Sequence, residues 1–431
     1  MKDALILTTL DVAGRQNNRE HHAIAALAER AGTLTVVYRM RGRAGQGPGA
    51  LIANEVREHV EGGVRYIGVS PPLNPPEGRA RAFAGGNLDH PALPRRALGT
   101  ALDTAGILRD LFSMRSLEQA ARYALGDKTS VLCEAFGPWA VLAAAGLRRS
   151  NRIGRLVYID RDYEPGFMAA APRRHWAEHA ERRAARTADL TLSIGTRLAA
   201  RFAGVPGAQV MLSPTGVDTA RFAPRIRKSP EPHLIYVGQV APWSGLIEVL
   251  AALPDIAAHH PRLKLTILGP SEPGFERWFR QQIADSGQSR RVDWPGERSR
   301  DEVAAALNRA GIGLATFRPT PLRAYAAPLK VLEYMASGLP VLSTKGTEAG
   351  DLVDRTGTGA ATSCDPQAIA RAAIGLLNNA TAYAEMSGAG TAAARLHDWS
   401  LVMSWEWQMI TEPDLASLQM RRAAVPEGMH P

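Results

Sequence analysis

Cysteine is nearly absent: Cys133 and Cys364 are the only two in 431 residues, they lie far apart in apolar surroundings, and no CxxC joins them. That excludes a disulfide framework and a ribbon-type zinc site, and it points to a reducing compartment. No cluster of His, Cys and carboxylates has metal-ligand spacing, so neither a metal nor a cofactor is expected. Aromatic residues make up 6% of the chain and do not alternate with basic ones as they do in single-strand binders, so nucleic acid is not expected as a partner. Long apolar runs are missing too. Residues 4–7 are too short a run for a secretory signal and no stretch reaches spanning length, which predicts a cytoplasmic protein. Negative charge is the scarcer sign: 42 Asp and Glu stand against 51 Lys and Arg, for a formal net charge of +9. An anionic ligand or an acidic membrane surface fits that balance. The arginine-rich N-terminal half is the part expected to touch an anionic membrane surface, peripherally and from inside.

What is present is an alternation of strands and helices. Residues 4–9 read as a buried strand, 16–30 as a helix and 33–38 as a second strand, a βαβ opening. The loop after the first strand carries one glycine, Gly14, beside Arg15, where a nicotinamide site would carry three. Residues 42–49 and 71–94 are rich in Gly, Pro and Arg and read as long irregular segments of the kind that serve as lids. A helix is expected over 98–125, with strands at 130–133, 156–159, 190–193 and 209–212. A second alternation starts at strand 234–238 and runs through helix 246–259, strand 263–268, helix 275–285, strand 292–294, helix 300–308 and strand 312–316. Residues 214–232, with four prolines, read as a linker. The length exceeds one ordinary core, and two domains account for it: 1–213 and 233–398, with a helix at 399–415 that carries Trp399, Trp405 and Trp407 back onto the first. The fold class is α/β, two doubly wound parallel sheets whose strand ends face a cleft.

Residues 328–344 are the most informative stretch. Pro328 opens a helix where proline is tolerated, and Gly338 and Pro340 end it; residues 339–344 then read as a buried strand. Leu329, Leu332, Met335 and Ala336 form the expected buried stripe, and Lys330 and Glu333 share a neighbouring face. A lysine in the first turn opposes the helix dipole unless an anion sits there, and oriented N–H groups plus Lys330 suit a phosphate.

Taken in order, these stretches resemble the nucleotide-sugar glycosyltransferases of the GT-B architecture, family 4 (group 1) in particular. Residues 234–238 followed by 245–247 look like the first strand and glycine of the donor-binding domain, 292–296 with 302–307 like its middle strand and helix, and 327–344 like its most recognisable element. Ser213-Pro214-Thr215-Gly216-Val217-Asp218 with Phe222 resembles the segment between the domains, with Thr215 where asparagine is usual. Residues 158–162, Glu181 and Ala188-Asp189 resemble the end of the acceptor domain. The likeness covers most of 153–405. It implies two Rossmann-like domains, the first for an acceptor and the second for a nucleotide sugar. The implied reaction moves a sugar to a hydroxyl of a small-molecule, lipid-linked or polysaccharide acceptor, without a metal and with retention. It implies that Glu333 takes the ribose hydroxyls and that Lys330, with the turn of Pro328 and Leu329, faces the donor phosphates. Gly238, Gln239, Ser244 and Tyr325 line the same site, and Gly14 with Arg15 covers it from the opposite wall.

Several positions depart from the family pattern. An Arg usually follows the strand glycine and a Lys precedes the next one; here Gln239 and Ser244 stand there, so two charge-assisted phosphate contacts are missing. The acidic residue expected eight positions before Glu333 is Tyr325. Lys330, Arg323, Arg318 and Arg15 are placed to make up the lost charge. In Tyr158-Ile159-Asp160-Arg161-Asp162, at the end of an acceptor-domain strand, Asp160 or Asp162 is the candidate base or acceptor anchor, which keeps an inverting course open. A capping or ion-pair role for Asp162 is the alternative. His21, His22 and Glu134 are further candidate acceptor contacts. The missing cations also motivate a second reading, a non-transferring relative such as a pseudo-glycosyltransferase or an epimerase-like nucleotide-sugar binder.

Overall fold

The computed structural model describes residues 3–13, 19–40, 55–72, 93–224 and 230–412. They form two compact units: the chain up to Ser213 together with a return from Met403, and Pro214–Val402. Gly14, Arg15, residues 42–49 and most of 71–94 lie outside the described residues.

The first unit runs β1 (Asp3–Thr8), α1 (Arg19–Ala28), β2 (Thr33–Arg39), β3 (Glu55–Glu61), β4 (Val64–Ser70), α2 (Leu93–Leu125), β5 (Val131–Phe136), α3 (Pro138–Arg149), β6 (Ile153–Asp160), α4 (Ala171–Thr187), β7 (Leu190–Ser193), α5 (Thr196–Ala200) and β8 (Val210–Leu212). Its eight strands lie in the order β3-β4-β2-β1-β5-β6-β7-β8. All pairs are parallel except β3 with β4. Strand order reverses between β1 and β5, and the carboxyl ends flanking such a reversal are where open sheets of this kind hold ligands. Leu5, Leu7, Cys133, Ala135 and Tyr158 pack with Leu117, Ala121, Ala140 and Leu147 of the covering helices. The β3–β4 hairpin is absent from the sequence expectation. Val56 and Val60 alternate with charged residues and are exposed, which hides the strand, but Gly62 and Gly63 at φ 57° and 80° are the turn residues such a hairpin requires.

The second unit runs β9 (His233–Val237), α6 (Leu246–His259), β10 (Lys264–Leu268), α7 (Glu276–Asp285), β11 (Val292–Gly296), α8 (Arg300–Leu307), β12 (Ile312–Ala315), α9 (Pro321–Tyr325), α10 (Leu329–Ala336), β13 (Val341–Thr344), α11 (Glu348–Thr356), β14 (Gly359–Thr362), α12 (Pro366–Asn378), α13 (Ala380–Leu396) and α14 (Trp399–Thr411). Six parallel strands lie in the order β11-β10-β9-β12-β13-β14. The reversal here falls between β9 and β12. One core layer joins the sheet to α6 and α12; the other joins it to α8, α10 and α11.

Residues 214–224 are not a free linker. Val217 and Phe222 belong to the second core, the Val217 N–H donates to the His397 carbonyl at 2.7 Å, and a side chain at Gly216 would overlap the Trp399 ring at 2.5 Å. Apolar contact at two positions thus outweighs the local proline content. α14 starts in this unit and continues in the first, where Glu406 accepts from Ser213 Oγ at 2.6 Å and pairs with Arg19.

Candidate functional site

In the second unit the site residues converge on the strand reversal. Gly238 follows β9 with φ +133°, and a Cβ there would lie 2.8 Å from Lys330 Nζ. Lys330, in the first turn of α10, holds its amine 3.7 Å from the Tyr236 ring centroid and 5.0 Å from that of Phe317. Those rings sit on β9 and just past β12, so the amine lies over the reversal itself. α10 is fixed there by Tyr334. Its hydroxyl accepts from the Val237 N–H at 2.8 Å and donates to the Leu314 carbonyl at 3.3 Å, and the missing side chain of Gly313 leaves room for its ring. The far end of α10 closes with Gly338 at φ 70°, Leu339 N–H on the Tyr334 carbonyl and Gly338 N–H on the Met335 carbonyl, the paired bonds of a Schellman cap. At the near end Val331 N–H donates to the Pro328 carbonyl at 3.1 Å, while the N–H groups of Leu329 and Lys330 have no intrahelical partner.

A second cation stands beside the first. Arg323, on α9, stacks its guanidinium 3.4 Å from the Trp243 centroid, and Trp243 lies 6.2 Å from Phe317. Two cations therefore ride on a row of three rings, an arrangement that favours each of them by roughly 0.5–2 kcal/mol. Burial, and then Arg323, push the Lys330 amine down to about 7, with Glu333 opposing. Among the described residues no carboxylate lies within ion-pair distance of Lys330. Arg318 is already taken, because its Nε donates to Glu248 at 2.6 Å.

The other expected donor contacts divide. Glu333 is 6% exposed and its Oε1 lies 3.1 Å from Arg300 Nη2; Arg300 opens α8, whose start is a capping box of Ser299 and Glu302. Burial raises the Glu333 carboxyl above the usual range, against the pull of Arg300 and Lys330. Ser244 is buried, and its hydroxyl donates to the Ala241 carbonyl at 2.7 Å, closing the turn that delivers Gly245. That glycine, at φ +73°, lies where a Cβ would stand 1.4 Å from the Thr316 carbonyl oxygen. Gln239 is half-buried, and its carbonyl takes the Tyr236 hydroxyl at 2.8 Å. Tyr325, Pro328 and Leu329 are half-buried around the same entrance. Leu329 thus leaves the expected stripe, and Val331 and Tyr334 are buried in addition.

In the first unit the structure contradicts Asp160 as an accessible base. The alternation of β6 puts it on the same side as Tyr158, fully buried. It accepts from Ser193 Oγ at 2.7 Å, Arg201 Nη2 at 3.0 Å and Tyr158 OH at 3.3 Å. Burial raises its carboxyl and Arg201 opposes. Asp162 is half-buried and lies 3.8 Å from Arg161 Nε, whose guanidinium also pairs with Glu20. His21 bonds its ring to the Val12 carbonyl at 2.9 Å, and His22 is half-buried. Glu134 lies inside β5, not after it, buried near Arg19 and Glu406, with Oε2 lacking a hydrogen-bond partner. Sequence reasoning missed Glu164, two residues past Asp162. Its Oε1 is 3.5 Å from where a Gly137 Cβ would be, at the end of β5; burial, then Asp162, lifts it to about 7. A third carboxylate in the Asp-Arg-Asp-Tyr-Glu run was the available signal. Among the described residues no group of three His, Cys or carboxylate side chains could hold a metal, and no helix is long and apolar enough to cross a membrane.

Two largely parallel sheets, each reversing its strand order beside its first strand, one of them with cations gathered at its reversal, define a class, the GT-B fold. Sucrose-phosphate synthase from Thermosynechococcus elongatus shares it, with a TM-score of 0.67 at 16% identity over 98% of this chain and 100% of that one. Residues 231–379 match the family described as Glycosyl transferases group 1. Glycogen synthase of Mycobacterium tuberculosis is 28% identical over 208 residues, 48% of this chain and 47% of the relative. A GDP-mannose-dependent alpha-(1-6)-phosphatidylinositol monomannoside mannosyltransferase of Mycolicibacterium smegmatis is 28% identical over 295 residues, 63% of this chain and 72% of the relative. The chain spans about half the length of the first of these curated relatives.

Proposed function

We propose that the protein transfers a glycosyl group from a nucleoside-diphosphate sugar to an acceptor hydroxyl. The observation that carries this is the Lys330 amine, held against Gly238 at the strand reversal of a group 1 unit with Arg323 beside it. The neighbouring charge of Arg323 disfavours the charged Lys330 amine, and a diphosphate in contact with that amine offsets it. The free N–H groups at the start of α10 add their partial charge. Glu333 keeps one oxygen on Arg300 and offers its remaining lone pairs to ribose hydroxyls.

In the transfer, the bond from the anomeric carbon to the phosphate oxygen breaks while the acceptor oxygen bonds to that carbon. The hydroxyl proton passes to the departing phosphate. Asp160, locked in its ion pair with Arg201, does not serve as a base, which supports retention over inversion. Lys330 and Arg323 supply the charge stabilisation that a divalent ion would otherwise give, which supports a metal-independent reaction. The mannosyltransferase relative is named for a nucleoside-diphosphate sugar, in keeping with such a donor. Arg323, beside Lys330, adds a cation where those at 239 and 244 are missing, which weighs against the non-transferring reading. A panel of nucleotide sugars, assayed for nucleoside-diphosphate release in the presence of a chelator, tests the proposal. Turnover by the wild-type protein and its loss in Lys330→Met are expected; no release from any donor refutes transfer.

A further inference from the structure

We propose that Arg39 and Arg109 of the first unit form a subsite for a phosphoryl group, so that the acceptor is a phosphorylated compound. The inference rests on the transfer reading for what this ligand does, not for whether it binds.

Arg39 is the last residue of β2, and the strand alternation puts it on the face where Val37 packs with α2. α2 brings Asp103, Arg109 and Asp110 to that end of the sheet, and α4 brings Arg173. Arg173 fits because residue 106 is glycine: a Cβ there would stand 2.7 Å from its Cζ. It donates to Asp103 at 2.7 Å and twice to Asp110 at 3.1 Å, and so takes up both carboxylates. Among the described residues of β2, α2 and α4 at that end, Arg39, Arg109 and Arg173 stand with Asp103 and Asp110. Arg109 comes no nearer than 3.8 Å to Asp110, and its buried Nε has no hydrogen-bond partner. The Arg39 guanidinium makes no hydrogen bond or ion pair among the described residues.

Other charged groups stand close by: Arg161 pairs with Glu20 and lies 3.8 Å from Asp162. Glu164, held up to about 7, is partly protonated at neutral pH. Burial pushes Arg39 below its ordinary value, with Asp110 and Glu164 opposing. Burial and then Arg173 do the same to Arg109, and Arg39 adds to the effect. Two half-buried guanidiniums with unused N–H donors at the carboxyl end of a parallel sheet are matched by the oxygens of a phosphate, which bind the guanidinium fork two at a time.

The test uses the full chain and two phosphoryl sources: a soluble hexose 6-phosphate beside the unphosphorylated hexose, and phosphatidylcholine vesicles with and without phosphatidylinositol. Binding to one phosphorylated probe, with competition by inorganic phosphate, is expected. Arg39→Gln and Arg109→Gln are each expected to weaken it about ten- to a hundredfold, the range of a lost charge-assisted hydrogen bond. Arg109→Lys keeps part of the affinity, and Glu164→Gln does not weaken it. Absence of binding to every phosphorylated probe overturns the proposal. So do folded Gln variants that keep wild-type affinity. Titration with a nucleoside diphosphate reads the second unit separately: loss of the phosphoryl response alone leaves the transfer reading standing, and loss of nucleotide binding alone sinks that reading instead.

Discussion

With its amine pushed to about 7, Lys330 is roughly nine-tenths neutral at pH 8 in the free protein, given a tenfold change in ratio per pH unit. A diphosphate in contact returns it toward the ordinary lysine value. Binding a nucleotide sugar therefore takes up about 0.9 proton at pH 8 and about 0.1 at pH 6, and affinity falls about tenfold for each pH unit above 7. Phosphodiester groups of the donor do not titrate in this range, so the proton belongs to the protein. Calorimetric titration in two buffers of different ionisation enthalpy reads the uptake directly. In Lys330→Met it should vanish. Binding to the wild-type protein at pH 8 with no proton uptake refutes the assignment of the amine to the phosphate. The same shift has a stability consequence. Because the folded chain holds fewer protons than the unfolded one between pH 7 and the ordinary lysine value, Lys330 makes stability rise with pH across that window.

Gly238→Ala puts a methyl 2.8 Å from the Lys330 amine at φ +133°; nucleotide-sugar affinity should drop at least about tenfold, with a stability cost of about 1–3 kcal/mol seen by denaturant titration. Glu333→Gln should weaken nucleoside-diphosphate binding about tenfold or more, the worth of a charge-assisted hydrogen bond, and unchanged affinity in calorimetry would leave Arg300 as its sole partner. Asp160→Asn should destabilise the fold by about 3 kcal/mol by loosening a buried ion pair while the folded fraction keeps its kcat; a selective loss of kcat would return Asp160 to the chemistry.

Much of the second unit was legible because its signals are local. Gly338 ends α10 where a left-handed residue was needed, and the run of buried strands left few alternatives to a doubly wound sheet. Lys330 was legible for the same reason, a cation placed against a helix dipole. Its ring platform was not: Tyr236, Trp243 and Phe317 come from three separate segments, and only the sheet order brings them together. For Ser244 and Asp160 the motif position says where the residue falls along the chain and not which way its side chain turns. Asp160 shares the buried face with Tyr158, and Ser244 spends its hydroxyl on its own turn. The linker was misread because prolines were weighed above two apolar anchors, Val217 and Phe222. Arg39 went unremarked, since nothing local distinguishes an arginine without a hydrogen-bond partner from a solvated one.

The structure of the protein with a nucleoside diphosphate bound is the most direct test. The diphosphate should lie within about 3 Å of Lys330 Nζ and of the first N–H groups of α10, next to Gly238, with the ribose on Glu333. A nucleotide held elsewhere in that unit, for example in the basic groove lined by His233, Lys264, Arg290, Arg291 and Arg309, would contradict the account.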